Sequence, residues 1–171
     1  MRFGHAPSIW EQFPQLVPGV LRVGGIHPKA DVQGLVEPWH ARTRERLARG
    51  PESELAEISA WRRAYTQMGL KPTQYRSAAE ALLRRFRREN DLPRLHPLVD
   101  LGNALSLAFA LPVAIFDLAG VEAFLEVRHA AGGEEYGGFG GEAGRAGPGE
   151  GIFPGAAGHA HARARAVRQS P

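Results

Sequence analysis

The chain has no cysteine, which excludes disulfides, thiolate zinc sites and cysteine nucleophiles and fits a cytosolic protein. It has no N-terminal signal pattern either: MRFGHAPSIWEQFP lacks an apolar core of signal-peptide length. The longest uncharged apolar run, GNALSLAFALPVAIF, is broken by Pro112 and is shorter than the roughly 20 residues that cross a bilayer. Together these absences predict a soluble, cytoplasmic chain with no membrane contact. A Walker-type phosphate loop and a nucleophile-elbow serine are also missing. With 171 residues, 43% of them hydrophobic, one globular domain spanning 1–171 is expected. A chain of that length buries about two-thirds of its unfolded surface without a staple.

Lysine is scarce as well. Arginines outnumber lysines nineteen to two, and the net charge is only +3. The cations are unevenly placed. Between Trp61 and Arg94 nine basic residues face only Glu80, Glu89 and Asp91. Arginine's planar fork suits phosphate oxygens. An Ala-, Gly-, Arg- and Pro-rich composition is equally the product of GC-rich codons, so composition alone leaves the partner open.

No internal repeat is visible. QLVPGVLRVGGIHP, with β-branched residues between Pro and Gly punctuation, reads as a strand. Helices are expected over Trp39 to Ala48 and Ser53 to Gln67; in the second, Leu55, Ile58, Trp61, Tyr65 and Met68 recur at helical spacing. Gly69 fits its C-terminal cap, and Pro72 the turn beyond. Ser77 followed by Glu80 is a capping-box pattern that starts the next helix. Ala79, Leu82, Leu83 and Phe86 share its inner face, Arg84, Arg85 and Arg88 point away, and Glu80 with Arg84 forms an i,i+4 pair. A mostly buried helix is expected over Leu98 to Phe109. PVAIFD and AFLEVRHA read as strands. Twelve of the 21 glycines fall between Gly132 and Gly158, a region of hairpins and loops, with HAHARARAV as a last strand. This order, a strand, then helices, then strands, predicts an α+β fold, helices packed on a mixed or antiparallel sheet.

Each candidate chemistry has a plainer competitor. The basic helix Lys71 to Asn90 is either a solvated face with internal ion pairs or part of a phosphate-binding surface joined by Arg62, Arg63, Lys71 and Arg76. His159 and His161 alternate and would share a face of a strand. Two ligands do not make a zinc site, and His129 would have to supply a third; no metal is expected. Gly138, Gly140 and Ala143 mimic the end of a dinucleotide fingerprint but lack the strand–turn–helix it needs, and no cofactor is expected. Ser77 is a helix cap rather than a nucleophile. Asp100 and Asn103, one helical turn apart, are either locally hydrogen-bonded or line a pocket.

The run RSAAEALLRRFRRENDLPRLHPLVDLGNALSLAFALPVAIFDLAGVEAFLEVRHAAGGEE resembles the tRNA-editing module of the bacterial phenylalanyl-tRNA synthetase β subunit, its B3/B4 domain. LVDLGNAL and LPVAIFDL fall in the module's order with the same intervening length. WRRAYTQMGLKPTQYRSAAEALLRR is similar to free-standing proteins made of this module alone, and FGGE and PGEGIF resemble their later strands. Trp61 to Glu150 carries most of the likeness.

The resemblance implies a tRNA-binding module that hydrolyses mischarged aminoacyl-tRNA in trans. The synthetase's module removes tyrosine from the phenylalanine tRNA without a covalent nucleophile. Polar groups there place the ester and a water, so catalysis rests on orientation and electrostatics. Asn103 matches the module's pocket asparagine; Gly102 stands where threonine is usual and Ala114 where histidine is usual. The implied pocket is Gly102, Asn103 and Ala114 with Gly140, Gly141 and Glu142. The implied tRNA contacts are Arg62, Arg63, Lys71, Arg76, Arg84, Arg85 and Arg88. Against free-standing members, the Gly-rich C-terminal part is expected to be short of the last strands and of the glutamate that reads a tyrosine hydroxyl. The alternative is a non-catalytic scaffold of the same fold that binds a small molecule or a protein, since a pocket with Gly102 and Ala114 is more apolar.

Overall fold

The elements of the computed structural model run β1 (Arg2–His5), α1 (Pro7–Gln12), α2 (Gln33–Ala48), α3 (Ala56–Gln67), α4 (Ala78–Glu89), α5 (Pro97–Phe109), β2 (Phe124–His129), β3 (Glu135–Gly137), β4 (Ala143–Arg145), β5 (Gly151–Pro154) and β6 (Ala160–Arg163). Short 3₁₀ turns lie at Glu52–Glu54 and Leu118–Gly120. The structure describes residues 2–121, 123–137, 143–145, 150–154 and 160–163. Helices and strands are segregated along the chain, which makes the fold α+β. The chain forms two compact units, one of residues 1–21 with 116–171 and one of residues 22–115.

The helical unit forms where apolar spacing and end signals agree. In α4 the Ser77 hydroxyl accepts a hydrogen bond from the Glu80 amide at 3.2 Å, satisfying a donor that has no intrahelical partner. Asn90 closes the helix in the left-handed conformation, with φ 56°, and its amide donates to the Phe86 carbonyl at 2.7 Å. Gly69, with φ +73°, ends α3 in the same way. In α5 Pro97 sits in the first turn, where its missing N–H costs nothing. The His96 ring accepts from the Leu98 amide at 3.3 Å. α2 starts at Gln33, earlier than Trp39, because the chain carries helix through Pro38 instead of stopping there.

The inner faces of these helices meet in one core. Leu47, Ile58, Ala79, Leu83, Phe86, Leu107 and Ala110 form it, with Leu55, Leu82 and Leu92 packed at its margin. Each fully buried Leu, Ile or Phe side chain contributes about 1.5–3 kcal/mol of transfer free energy, so these side chains hold the unit together.

The other unit is a sheet in the order β1-β2-β5-β6, with a separate β3-β4 hairpin. β1 runs parallel to β2, Phe3 opposite Leu125 and His5 opposite Val127. The remaining pairs, β2 with β5, β5 with β6 and β3 with β4, are antiparallel. Beyond β1 the Ala6 amide donates to the Val127 carbonyl at 2.9 Å, and α1 packs on β2. Among the described residues no helix is long and apolar enough to cross a membrane.

Two strand readings are corrected. QLVPGVLRVGGIHP contains no strand; Val17, Val20, Leu21, Val23 and Ile26 are exposed. Pro18 gives no ladder donor, and the glycines at 19, 24 and 25 resist an extended pairing. PVAIFD is irregular, and its apolar residues are used against a helix instead. Ile115 Cδ1 lies 2.8 Å, and Val113 Cγ1 3.6 Å, from where a Cβ on Gly102 would stand.

The loop entering β3 predicts a pH effect. Glu134 accepts hydrogen bonds from the Ala131 and Gly132 amides and from Arg128. Those bonds, the Ala131 amide foremost, hold its carboxyl at a pKa of about 2. A depressed carboxylate stabilises the fold above its unfolded value, near 4.5, and that stabilisation is lost as pH falls toward 2. Thermal melts should show Glu134→Gln less stable than the parent at neutral pH and the gap closing across that window. A constant gap would contradict this.

Candidate functional site

The outer face of α4 carries Arg84, Arg85, Arg87 and Arg88, all exposed. Each has a carboxylate neighbour. Arg85 and Arg88 share Glu89, at 2.8 and 3.2 Å, while Arg84 and Arg87 converge on the buried Glu52, at 3.8 and 3.0 Å. Arg87 also donates to the Leu47 and Gly50 carbonyls. Four cations against two carboxylates leave this face net positive. The two pairs to Glu89 lie at the surface and are worth at most about 1 kcal/mol, so Arg85 and Arg88 yield to a polyanion more readily than the arginines held at the buried Glu52.

Arg62 and Arg76 are placed differently. Glu80 is 1% exposed and takes a two-pronged hydrogen bond from Arg62, at 2.6 and 3.2 Å. Arg76 Nε lies 3.7 Å from the same carboxylate and is sealed from solvent without a hydrogen-bond partner. The expected Glu80–Arg84 pair therefore does not form, because the Glu80 side chain points inward and Arg84 leans to Glu52. Arg62 and Arg76 are held to a buried carboxylate that ties α3 to α4. Arg63, on α3, and Lys71, in the turn before α4, are exposed.

A narrow cleft lies where α2, α5 and the α4–α5 connector meet. Val32, Gln33, Val36 and His40 line one side, Asp91 to Arg94 another, and Asp100 and Asn103 the floor from α5. It encloses about 20 Å³, room for about one water molecule. Asp100 is oriented by the Leu95 amide, which donates to its Oδ1 at 2.9 Å. His40 is 6% exposed, its ring edge packed on Phe86 at 4.8 Å between centroids. Its Nδ1 lies 3.7 Å from Asp91 Oδ1. Burial pushes the imidazole below its ordinary value, against the opposing pull of Asp91 and Glu37.

Among the described residues of the sequence-predicted pocket, only Asn103 lies in this cleft. Gly102, a third of a turn away, is buried toward Val113 and Ile115, and Ala114 is exposed in the irregular segment. Gly140, Gly141 and Glu142 lie outside the described residues, as does His159. His161 falls in β6 and His129 in β2. Among the described residues no three His, Cys, Asp or Glu side chains are grouped to hold a metal. Sequence reasoning missed His40, Asp91 and Arg94. His40 sits in a polar helix with no motif around it, and only the spacing to Val36 and Thr43, both buried, could have put it on the inner face.

No curated protein and no solved structure matches the chain. The family model that describes the B3/4 domain matches residues 60–158, more than half of the chain. Its span runs from within α3 through β5, including Asn103 and the α4 arginines, and the chain belongs to the B3/4 domain family.

Proposed function

We propose that the chain binds tRNA through the outer face of α4 and hydrolyses a mischarged aminoacyl ester in trans at the Asn103 cleft. The observation that carries this reading is positional. The arginine row Arg84, Arg85 and Arg88 leads within a few residues into Asp91 to Arg94, the wall of the cleft that Asn103 floors. Membership of a domain family related to the phenylalanyl-tRNA synthetase β subunit supports tRNA as the polyanion. Phosphate contacts supply sequence-independent affinity and fix the register. Arg63 and Lys71 extend the cationic surface; Arg62 and Arg76 act from their places around Glu80. One water fits the cleft, so the ester lies at its mouth and the water below.

The test is tRNA binding followed by fluorescence anisotropy over a range of salt. Arg84→Ala with Arg85→Ala should weaken binding roughly tenfold and make the salt dependence shallower by about one to two units of slope. Unchanged affinity and slope at low salt would remove α4 from the interface. The cleft's small volume favours a second reading, a non-catalytic scaffold. Ligand-dependent melting without any RNA binding would select it.

A further inference from the structure

We infer that His40 is the general base of this cleft, drawing a proton from a water held against Asn103, with Asp91 as its positioning residue. The inference deepens the hydrolytic part of the proposed function and rests on it. Three observations converge. His40 is a buried titratable side chain lining a cleft of water size. Its side chain keeps 7% of its surface open. Asp91 is 70% exposed and 3.7 Å from Nδ1, close enough to draw the ring proton to that nitrogen as the site fills. Catalytic hydrogen bonds are commonly long before substrate arrives.

With the proton on Nδ1, facing Asp91, Nε2 carries the lone pair. Water gives a proton to Nε2 and its oxygen attacks the ester carbonyl carbon, forming a tetrahedral oxyanion. Collapse breaks the bond to the ribose oxygen, which takes the proton from the imidazolium. One water and one ester become one carboxylic acid and one alcohol, and His40 returns neutral. Asn103, half-buried on α5 and lining the cleft, supplies an amide that can hold the water or the oxyanion. The charged groups around the ring are Glu37 and Arg44 on α2, Asp91 and Arg94 on the connector, and Asp100 on α5. Burial outweighs them and keeps the imidazole neutral at physiological pH.

The experiment follows hydrolysis of tyrosine ethyl ester by the full chain from about pH 5 to about pH 9, with tRNA binding measured on the same preparations. The expected result is a rate that rises with pH through an apparent pKa below 6.5 and then levels. His40→Gln should lower the plateau roughly 100-fold while leaving tRNA binding intact. Asp91→Asn, an exposed change that spares the fold, should move the rising limb to lower pH, because Asp91 raises the His40 pKa. A wild-type rate no greater than buffer, a His40→Gln profile like the parent's, or an unmoved limb in Asp91→Asn would each overturn the inference. The small ester needs no RNA, so lost tRNA binding would count against the α4 interface and not against His40.

Discussion

Replacing Glu80 with alanine should cost about 3 kcal/mol of folding stability, seen as a fall in the urea midpoint with little change in slope. The carboxylate is buried and holds two arginines from different segments: Arg62 of α3 at 2.6 Å and Arg76 of the turn before α4 at 3.7 Å. Removing one partner of a buried pair costs about 3–5 kcal/mol because the other charge is left uncompensated. The lower end applies here, since Arg62 and Arg76 are each about a third exposed and regain some water. Alanine also leaves a void where the carboxylate was buried, though the capping bond from the Glu80 amide survives because it is a main-chain donor. Glu80→Gln keeps the volume and one acceptor oxygen but sets an NH2 against the second Arg62 donor and loses the charge, so it should fall between the parent and alanine. A loss below about 1 kcal/mol for Glu80→Ala would mean that the pair barely offsets its own desolvation.

The same residue shows what the sequence could and could not reveal. Ser77 and Glu80 announce the start of α4 because a cap is local chemistry, complete within four residues. Glu80's actual ion partners lie on α3 and in the preceding turn, and no local spacing encodes them; the i,i+4 rule points to Arg84 instead. α3 and α4 were legible for the same local reason: their apolar positions recur at helical spacing, with Gly69 marking the end of one and Ser77 the start of the other, while α5 was legible as an apolar run. Strands were harder. β1 has only four residues and exists because β2, some 120 residues later, offers a parallel ladder. The Val- and Leu-rich segments before α2 and after α5 look like strands in composition, but one stays in solvent and the other packs on Gly102. In the site, Asn103 could be reached through resemblance. His40 could not, because its place depends on a cleft assembled from α2, α5 and the connector.

Replacing Phe86 with alanine is expected to have the largest effect, a loss of about 3–5 kcal/mol, and to reach the site as well as the core. Phe86 is 1% exposed and sits among Leu47, Ile58, Leu83 and Leu107. Truncation removes its transfer free energy and leaves a cavity that the surrounding helices fill only in part. Two polar residues also rest on the ring. Arg44 Cζ stands 5.6 Å from its centroid, a contact worth about 0.5–1 kcal/mol at an exposed site; Arg44 keeps its bonds to Glu37 and Asn90. His40 has no comparable reserve. Without the ring beneath it, the imidazole gains water, and because burial is the main cause of its lowered pKa, that pKa should return toward 6.5. Phe86→Leu restores most of the volume and should cost about 1–1.5 kcal/mol with a smaller return. Chemical denaturation paired with an NMR titration of the His40 ring measures both quantities on the same variants. A Phe86→Ala protein that is clearly destabilised while His40 still titrates at its lowered value would show that α2 and the connector alone desolvate the imidazole. The cleft's acid–base poise would then be independent of the core on which it is built.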